Sequence, residues 1–249
     1  MKNQNIKRLY FDIETSPNIG FFWNAGYKQS NPYSHIIKER AIICICYKWS
    51  HEKTVGALTW DKDQDDKSML EKFLKILNTA DEIITQNGDK FDMPWLRTRC
   101  LYHGIPMFPK YNTLDTFKKA KSGFRFNSNA LDYMGSFMKL GTKDKMSFED
   151  WKKIMLNKDK SSLDKMVKYC KQDVLLLEKV YNKMANYITH NVHHGVIKGH
   201  DKCSCPECGS NDTKLSKTRV NATGSKVYQL QCSKCGKYHS VSETTYNKK

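Results

Sequence analysis

Five residues in three short segments could build a hydrolytic metal centre: Asp12 and Glu14 in LYFDIET, Asp92 in NGDKFDMPWL, and Tyr169 with Asp173 in KYCKQD. Asp12 and Glu14 stand two apart in a β-prone run, so the period of two turns both carboxylates to one face and sends Phe11 and Ile13 to the other. Two carboxylates on one face repel unless something positive lies between them, and a divalent cation is the simplest compensation. Two solvated acids at a strand end are the alternative for this pair taken alone. Asp92 follows the Asn87-Gly88 turn signal at the mouth of a helix that Pro94 can initiate, with Phe91 as an apolar anchor. Asp89 competes for the role, and an ordinary N-cap would explain Asp92 without chemistry. Tyr169 and Asp173 are four apart on a helical stretch, hence neighbours on one face. Together the acids read as a site for two divalent cations, and Mg²⁺ or Mn²⁺ suit it because hard ions prefer oxygen.

The elements that must position these groups follow from the apolar pattern. Lys7 to Ile13, Asn18 to Asn24, Ala41 to Trp49 and Lys53 to Trp60 are strand candidates rich in Ile, Val, Phe, Tyr and Trp. Ser68 to Leu77 has helical spacing, and Glu82 to Thr85 is a short buried strand before NGDKFD. Helices are expected from Pro94 through Arg99, at Leu114 to Lys121, Ser128 to Met138 and Ser147 to Met155, and from Ser162 to about Ile188. Strands first, then helices interleaved with one more strand, predict an α/β fold with a mixed sheet flanked by helices.

The nine cysteines divide into two groups. Cys44, Cys46, Cys100 and Cys170 lie in apolar or helical stretches and read as reduced, small hydrophobes in or near the core. Cys205-Pro-Glu-Cys208-Gly and Cys232-Ser-Lys-Cys235-Gly are two knuckles separated by 23 residues that include a strand-like KVYQLQ, the pattern of a zinc ribbon. Four thiolates around one Zn²⁺ leave no position for substrate, so its role is structural. Cys203 is left over, with Cys203 or His239 as alternative ligands. The segment 189–202 loses helical periodicity and reads as a polar linker; its four histidines could also suggest a metal.

The net charge of +16 points to a polyanionic partner, because Lys and Arg that neutralise phosphates release counterions. Residues 198–249 hold ten Lys or Arg against four Asp or Glu, so the ribbon could grip nucleic acid or dock a protein. The N-terminal MKNQNIKRLYF has no apolar segment followed by a cleavage site, and no run of about 18 apolar residues occurs. The expectation is therefore a cytoplasmic protein without membrane contact.

FDIET, NGDKFD and YCKQD, in this order and spacing, resemble the three motifs of the DEDDy branch of the DnaQ-like 3′–5′ exonucleases, which have an RNase H-like fold. SPNIGFFWN, KERAIICICYKW, YNTLDTFKKAK, FRFNSNALDYMG and LGTKDK are similar to stand-alone phage and bacterial members related to proofreading domains of family B DNA polymerases. The resemblance implies metal ligands at Asp12, Glu14, Asp92 and Asp173 and a water-orienting Tyr169 at a site for two Mg²⁺ or Mn²⁺. It implies a 3′–5′ exonuclease with single-stranded DNA favoured and RNA possible. The alternatives are a ribonuclease or structure-selective endonuclease of the same fold, or a non-catalytic adaptor that binds nucleic acid through the ribbon. Substrate contacts are expected from Thr15, Asn87, Phe91 and Lys143, with stacking from Phe22, Trp23 and Tyr27 and bracing from Asp115; turn, cap and core roles compete for each. The expected organisation is an RNase H-like domain over 1–190, a linker over 191–201 and a zinc ribbon over 202–249.

Overall fold

The computed structural model describes residues 6–23, 32–141 and 146–248. The chain divides into two compact units: Leu9–Asn186, and Met1–Arg8 together with Tyr187–Lys249.

In the larger unit the strands are β1 (Arg8–Thr15), β2 (Ile19–Gly20), β3 (Ile36–Lys38), β4 (Ile42–Trp49), β5 (Gly56–Thr59), β6 (Glu82–Thr85) and β7 (Thr113–Asp115). Five form one sheet in the order β5-β4-β1-β6-β7, while β2 and β3 pair separately. β1 runs antiparallel to β4 and β6 parallel to β7, so the sheet is mixed. The helices are α1 (Lys67–Leu77), α2 (Asp92–Tyr102), α3 (Thr116–Gly123), α4 (Leu131–Phe137), α5 (Phe148–Asn157) and α6 (Lys160–Met184). A mixed sheet with flanking helices is thus the architecture.

The period of two in β1 decides what each face of the sheet does. Leu9, Phe11 and Ile13 join Met69, Leu70, Phe73, Leu74 and Leu77 of α1 and Met93 and Leu96 of α2 in one buried cluster. Each such side chain removed from water contributes roughly 1.5–3 kcal/mol, which fixes the register of β1 against slippage. The alternate residues face α6: Tyr10 meets Tyr181 edge-on at 5.7 Å, and Asp12 lies beside Cys170. α6 buries Met166, Cys170, Val174, Leu177, Val180 and Tyr181, the i, i+3, i+4 stripe of a helix laid on a sheet. Asp159 starts that helix by accepting a hydrogen bond from Ser162 N at 2.7 Å.

Several elements depart from the sequence expectation. Leu114 lies in β7 and not in a helix, because Thr113–Asp115 pairs with Ile83–Thr85 and the helix begins only at Thr116. Asp115 is the residue that ends one and caps the other. The run from Asn18 yields only the two-residue β2, and Phe21, Phe22 and Trp23 are exposed after it. α6 stops at Met184, short of Ile188. Among the described residues no helix is long and apolar enough to cross a membrane.

The smaller unit is a three-stranded antiparallel sheet of β8 (Thr213–Val220), β9 (Lys226–Cys232) and β10 (Tyr238–Ser242), with short helices α7 (His194–Ile197) and α8 (Glu243–Tyr246). Among the described residues its buried cluster holds Cys203, Leu230 and Val241, with Tyr228 and Tyr246 packed against it. The segment read as a linker carries α7 and is tied to the first cysteine loop: His194 N donates to Pro206 O at 2.9 Å and Lys198 Nζ to Cys208 O at 3.0 Å.

Candidate active site

Three of the sequence-selected acids converge. Asp12 and Glu14 stand on one face of β1, and α6 brings Asp173 over them, so that one carboxylate oxygen from each lies within 4.8 Å of the other two. Asp173 is only 5% exposed, in a stripe that is otherwise apolar apart from Ser162, and such a placement is costly without a compensating charge. The donor set is all oxygen and all anionic, which fits a hard divalent cation. Tyr169 is half-buried one turn earlier on α6. A register shift between Glu14 and Thr15 ends the regular ladder beside this trio.

Asp92 is placed differently. It is the first residue of α2, not its N-cap, and its Oδ1 accepts a hydrogen bond from Ile13 N at 3.2 Å, between the two β1 acids in the chain. It is 2% exposed and stands outside the trio. Burial, with Asp115 nearby, pushes its carboxyl up to about 7, against hydrogen bonds from backbone amides that favour the ionised form. The loop before it is held from below: Asp115 accepts from Asn87 N at 2.8 Å and Asp89 N at 3.3 Å while capping α3 through Phe117 N at 2.9 Å. Burial also raises the Asp115 carboxyl, though those amides oppose it. Asn87 takes φ +59°, the left-handed conformation of the turn reading, and a Cβ on Gly88 would meet the Thr85 side chain at 2.4 Å. Asp89 pairs instead with Lys118 at 2.7 Å.

The expected substrate contacts lie on different elements. Thr15 borders a cavity of about 640 Å³ with Ser16, Asn18, Arg40, Phe148 and Trp151. Arg40 Nη2 donates to Thr15 Oγ1 at 3.0 Å, and Trp151 Nε1 donates to Thr15 O at 3.1 Å. The Arg40 guanidinium also lies over the Trp95 ring at 4.5 Å. Arg40 and Trp151 carried no sequence signal, since a loop arginine and a helical tryptophan are ordinary by themselves. Phe91 is not the apolar anchor expected of it: it is 36% exposed, with its ring centroid 6.4 Å from that of Trp95. Phe22 and Trp23 are exposed and thus outside the core. Lys143 and Tyr27 lie outside the described residues.

A sequence profile described as the RNase H superfamily matches residues 9–185. The chain belongs to the RNase H superfamily. Members of that superfamily are generally nucleases. Over 115 residues this chain is 30% identical to a DNA polymerase of Pyrococcus glycovorans, a span of 42% of this chain and 13% of that protein. A DNA polymerase of Thermococcus hydrothermalis is 29% identical over 113 residues, 41% of this chain and 6% of the relative. The family B DNA polymerase of the archaeon Pyrobaculum calidifontis has a similar fold, with a TM-score of 0.56 and 15% identity over 74% of this chain and 25% of that one.

Beyond the RNase H-like residues the structure gathers Cys205, Cys208, Cys232 and Cys235, with all four sulfurs within 4.8 Å of one another. Cys205 Sγ and Cys235 Sγ are 3.6 Å apart, as are Cys208 Sγ and Cys232 Sγ. A disulfide needs about 2.05 Å. Thiolates at the corners of a tetrahedron with bonds of about 2.3 Å stand roughly 3.8 Å apart, so the quartet is compatible with zinc. Cys203 lies outside it: its carbonyl accepts from Thr213 Oγ1 at 2.9 Å and His239 Nε2 at 3.2 Å. His190 bonds Glu207 at 2.7 Å and His200 bonds Gly209 O at 2.8 Å.

Proposed function

We propose that this chain is a metal-dependent 3′–5′ exonuclease that hydrolyses phosphodiester bonds, with single-stranded DNA as the favoured substrate. The observation that carries the reading is the convergence of Asp12, Glu14 and Asp173 from elements 161 positions apart at their ends (12 to 173), in a chain of the RNase H superfamily. Asp12, Glu14, Asp92 and Asp173 would hold two Mg²⁺ or Mn²⁺. When bound, such ions supply a water of lowered pKa and offset the charge that gathers on the phosphate oxygens.

The chain's own groups do the rest. Tyr169 offers a phenol beside Asp173 to orient the attacking water. Asp115 holds the backbone of the loop that delivers Asp92, and acts as a positioning residue. Arg40 holds Thr15 at the rim of the cavity, where the strand end would sit. The sequence similarity to DNA polymerases, though confined to a small part of them, supports a DNA substrate. In the smaller unit, Cys205, Cys208, Cys232 and Cys235 would hold one structural Zn²⁺, and the surplus of Lys and Arg there would bind the nucleic-acid backbone. We place the exonuclease unit at 1–190 and the ribbon at 202–249.

The deciding experiment is a time course of the full chain with Mg²⁺ or Mn²⁺ on single-stranded DNA and RNA labelled at the 5′ end, with Asp12→Ala alongside. A metal-dependent ladder shortening from the 3′ end of DNA, absent in the variant, supports the proposal. Faster attack on RNA, or internal cuts, would replace it with a ribonuclease or an endonuclease. A chain inert on both that still binds them would be an adaptor.

A further inference from the structure

Cys44 and Cys46 alternate with Ile43 and Ile45 along β4, so the period of two turns both thiols toward α6. The antiparallel register sets Cys44 directly beside Glu14 and Cys46 beside Asp12, on the same face of the sheet. α6 supplies Cys170, three residues before Asp173. All three cysteines are fully buried, at 0% exposure, and their sulfurs lie within 4.8 Å of one another. Cys170 Sγ is 3.5 Å from Asp12 O and 3.7 Å from Asp12 Oδ2, so the thiol cluster abuts the carboxylate trio.

We propose that Cys44, Cys46 and Cys170 form a binding site for one soft, thiophilic cation of the Cd²⁺, Zn²⁺ or Cu⁺ class, immediately behind the carboxylates. Three thiolates around a trigonal ion with bonds of about 2.3 Å stand roughly 4 Å apart, within the span the sulfurs already have. The two adjoining donor sets sort cations by hardness: oxygens take Mg²⁺ or Mn²⁺, sulfurs take the soft ion. Valine or alanine would fill the same volume, but neither places a ligand against Asp12. Resting on the nuclease reading, the consequence is regulatory. Coordination draws the Cys170 sulfur, 3.7 Å from Asp12 Oδ2, onto the soft ion and displaces the carboxylate it touches, so filling the thiol site suppresses cleavage.

The test uses the full chain with zinc in the ribbon and Mg²⁺ in excess, titrated with Cd²⁺. The thiolate-to-cadmium charge-transfer absorbance is followed while a chromogenic chelator reports zinc released from the ribbon. One cadmium per chain taken up beyond any exchanged for zinc, with that increment missing in Cys46→Ala and in Cys170→Ala, is the expected result. Carboxylates give no such band, and the wild-type stoichiometry needs no variant. Uptake that equals zinc release, or an increment that survives both substitutions, overturns the site. Cleavage should fall roughly tenfold as the extra cadmium binds, and resist it in Cys170→Ala. Undiminished cleavage with the site filled overturns the coupling to Asp12. A chain that cleaves nothing under any condition refutes the nuclease reading without touching the uptake result.

Discussion

The carboxylate trio and the cysteine quartet are both sets of ligands brought within 4.8 Å, yet they stand on opposite kinds of support. The trio sits on a sheet whose buried cluster spans three strands and two helices, and that cluster contains none of the three acids. The quartet's unit has three buried residues in its cluster, one of them Cys203. A large apolar core can hold like charges together before any cation arrives; a small unit needs its metal in order to fold. On the proposed reading, the same proximity of groups would mean pre-organisation in one region and metal-dependent folding in the other.

The comparison breaks most visibly if the metal is withdrawn. Removing zinc with a strong chelator, or introducing Cys232→Ser, should unfold the ribbon, a loss on the scale of about 10 kcal/mol of apparent binding energy. The larger unit should keep its cooperative melt. Loss of both units together, seen by circular dichroism and limited proteolysis, would remove the distinction.

Next in size is a structural carboxylate of the larger unit. Asp66 is fully buried, meets Arg99 through two bonds of 2.8 Å and His103 at 2.6 Å, and accepts from Ile42 N at 2.9 Å. Although burial raises its carboxyl, the Arg99 bond, the Ile42 amide and His103 together bring it below the usual carboxylate value. Asp66→Ala leaves Arg99 without its partner and should cost about 3–5 kcal/mol in urea unfolding. The sign in pH follows from the lowered folded value. Its contribution is present above the unfolded pKa of about 3.9 and disappears as pH falls through the lower folded one, so the variant's deficit should shrink in acid.

The catalytic acids should behave in the reverse manner. Asp12→Ala should reduce cleavage by about a hundred- to a thousand-fold, while the metal-free chain melts no lower than wild type because a like-charge contact is relieved. A large drop in melting temperature would mean that the trio is a structural device. The smallest effect is expected at the ribbon surface, where Lys217 and Arg219 are exposed on β8. Replacing both by Ala should lower the slope of log affinity against log salt by about 1–2 for single-stranded DNA. An unchanged slope would turn the ribbon toward protein docking.

What could be read in advance follows the distance over which each constraint acts. The DxE pair, the helix bearing Tyr169 and Asp173, and the CxxC knuckles are local patterns with fixed periodicity, and the mixed sheet followed from the order of such patterns. Leu114 and Asp115 were misread as helix because their extended form comes from pairing with Ile84 and Thr85, partners some thirty residues away. The reading of Phe91 as an apolar anchor failed because exposure depends on what other elements cover. Cys44, Cys46 and Cys170 were read as small core hydrophobes, because nothing local announced that Cys170 would meet the other two.

The sequence by itself determined which groups were available and on which face of their own element they stood, since side-chain direction is set by backbone periodicity. Only the tertiary structure decided which of them meet. The docking of α6 on the sheet is driven by apolar area that has no directional code in the chain, and it brings Asp173 to Asp12 and Glu14, Cys170 to Cys44 and Cys46, and leaves Asp92 bound to the backbone of Ile13.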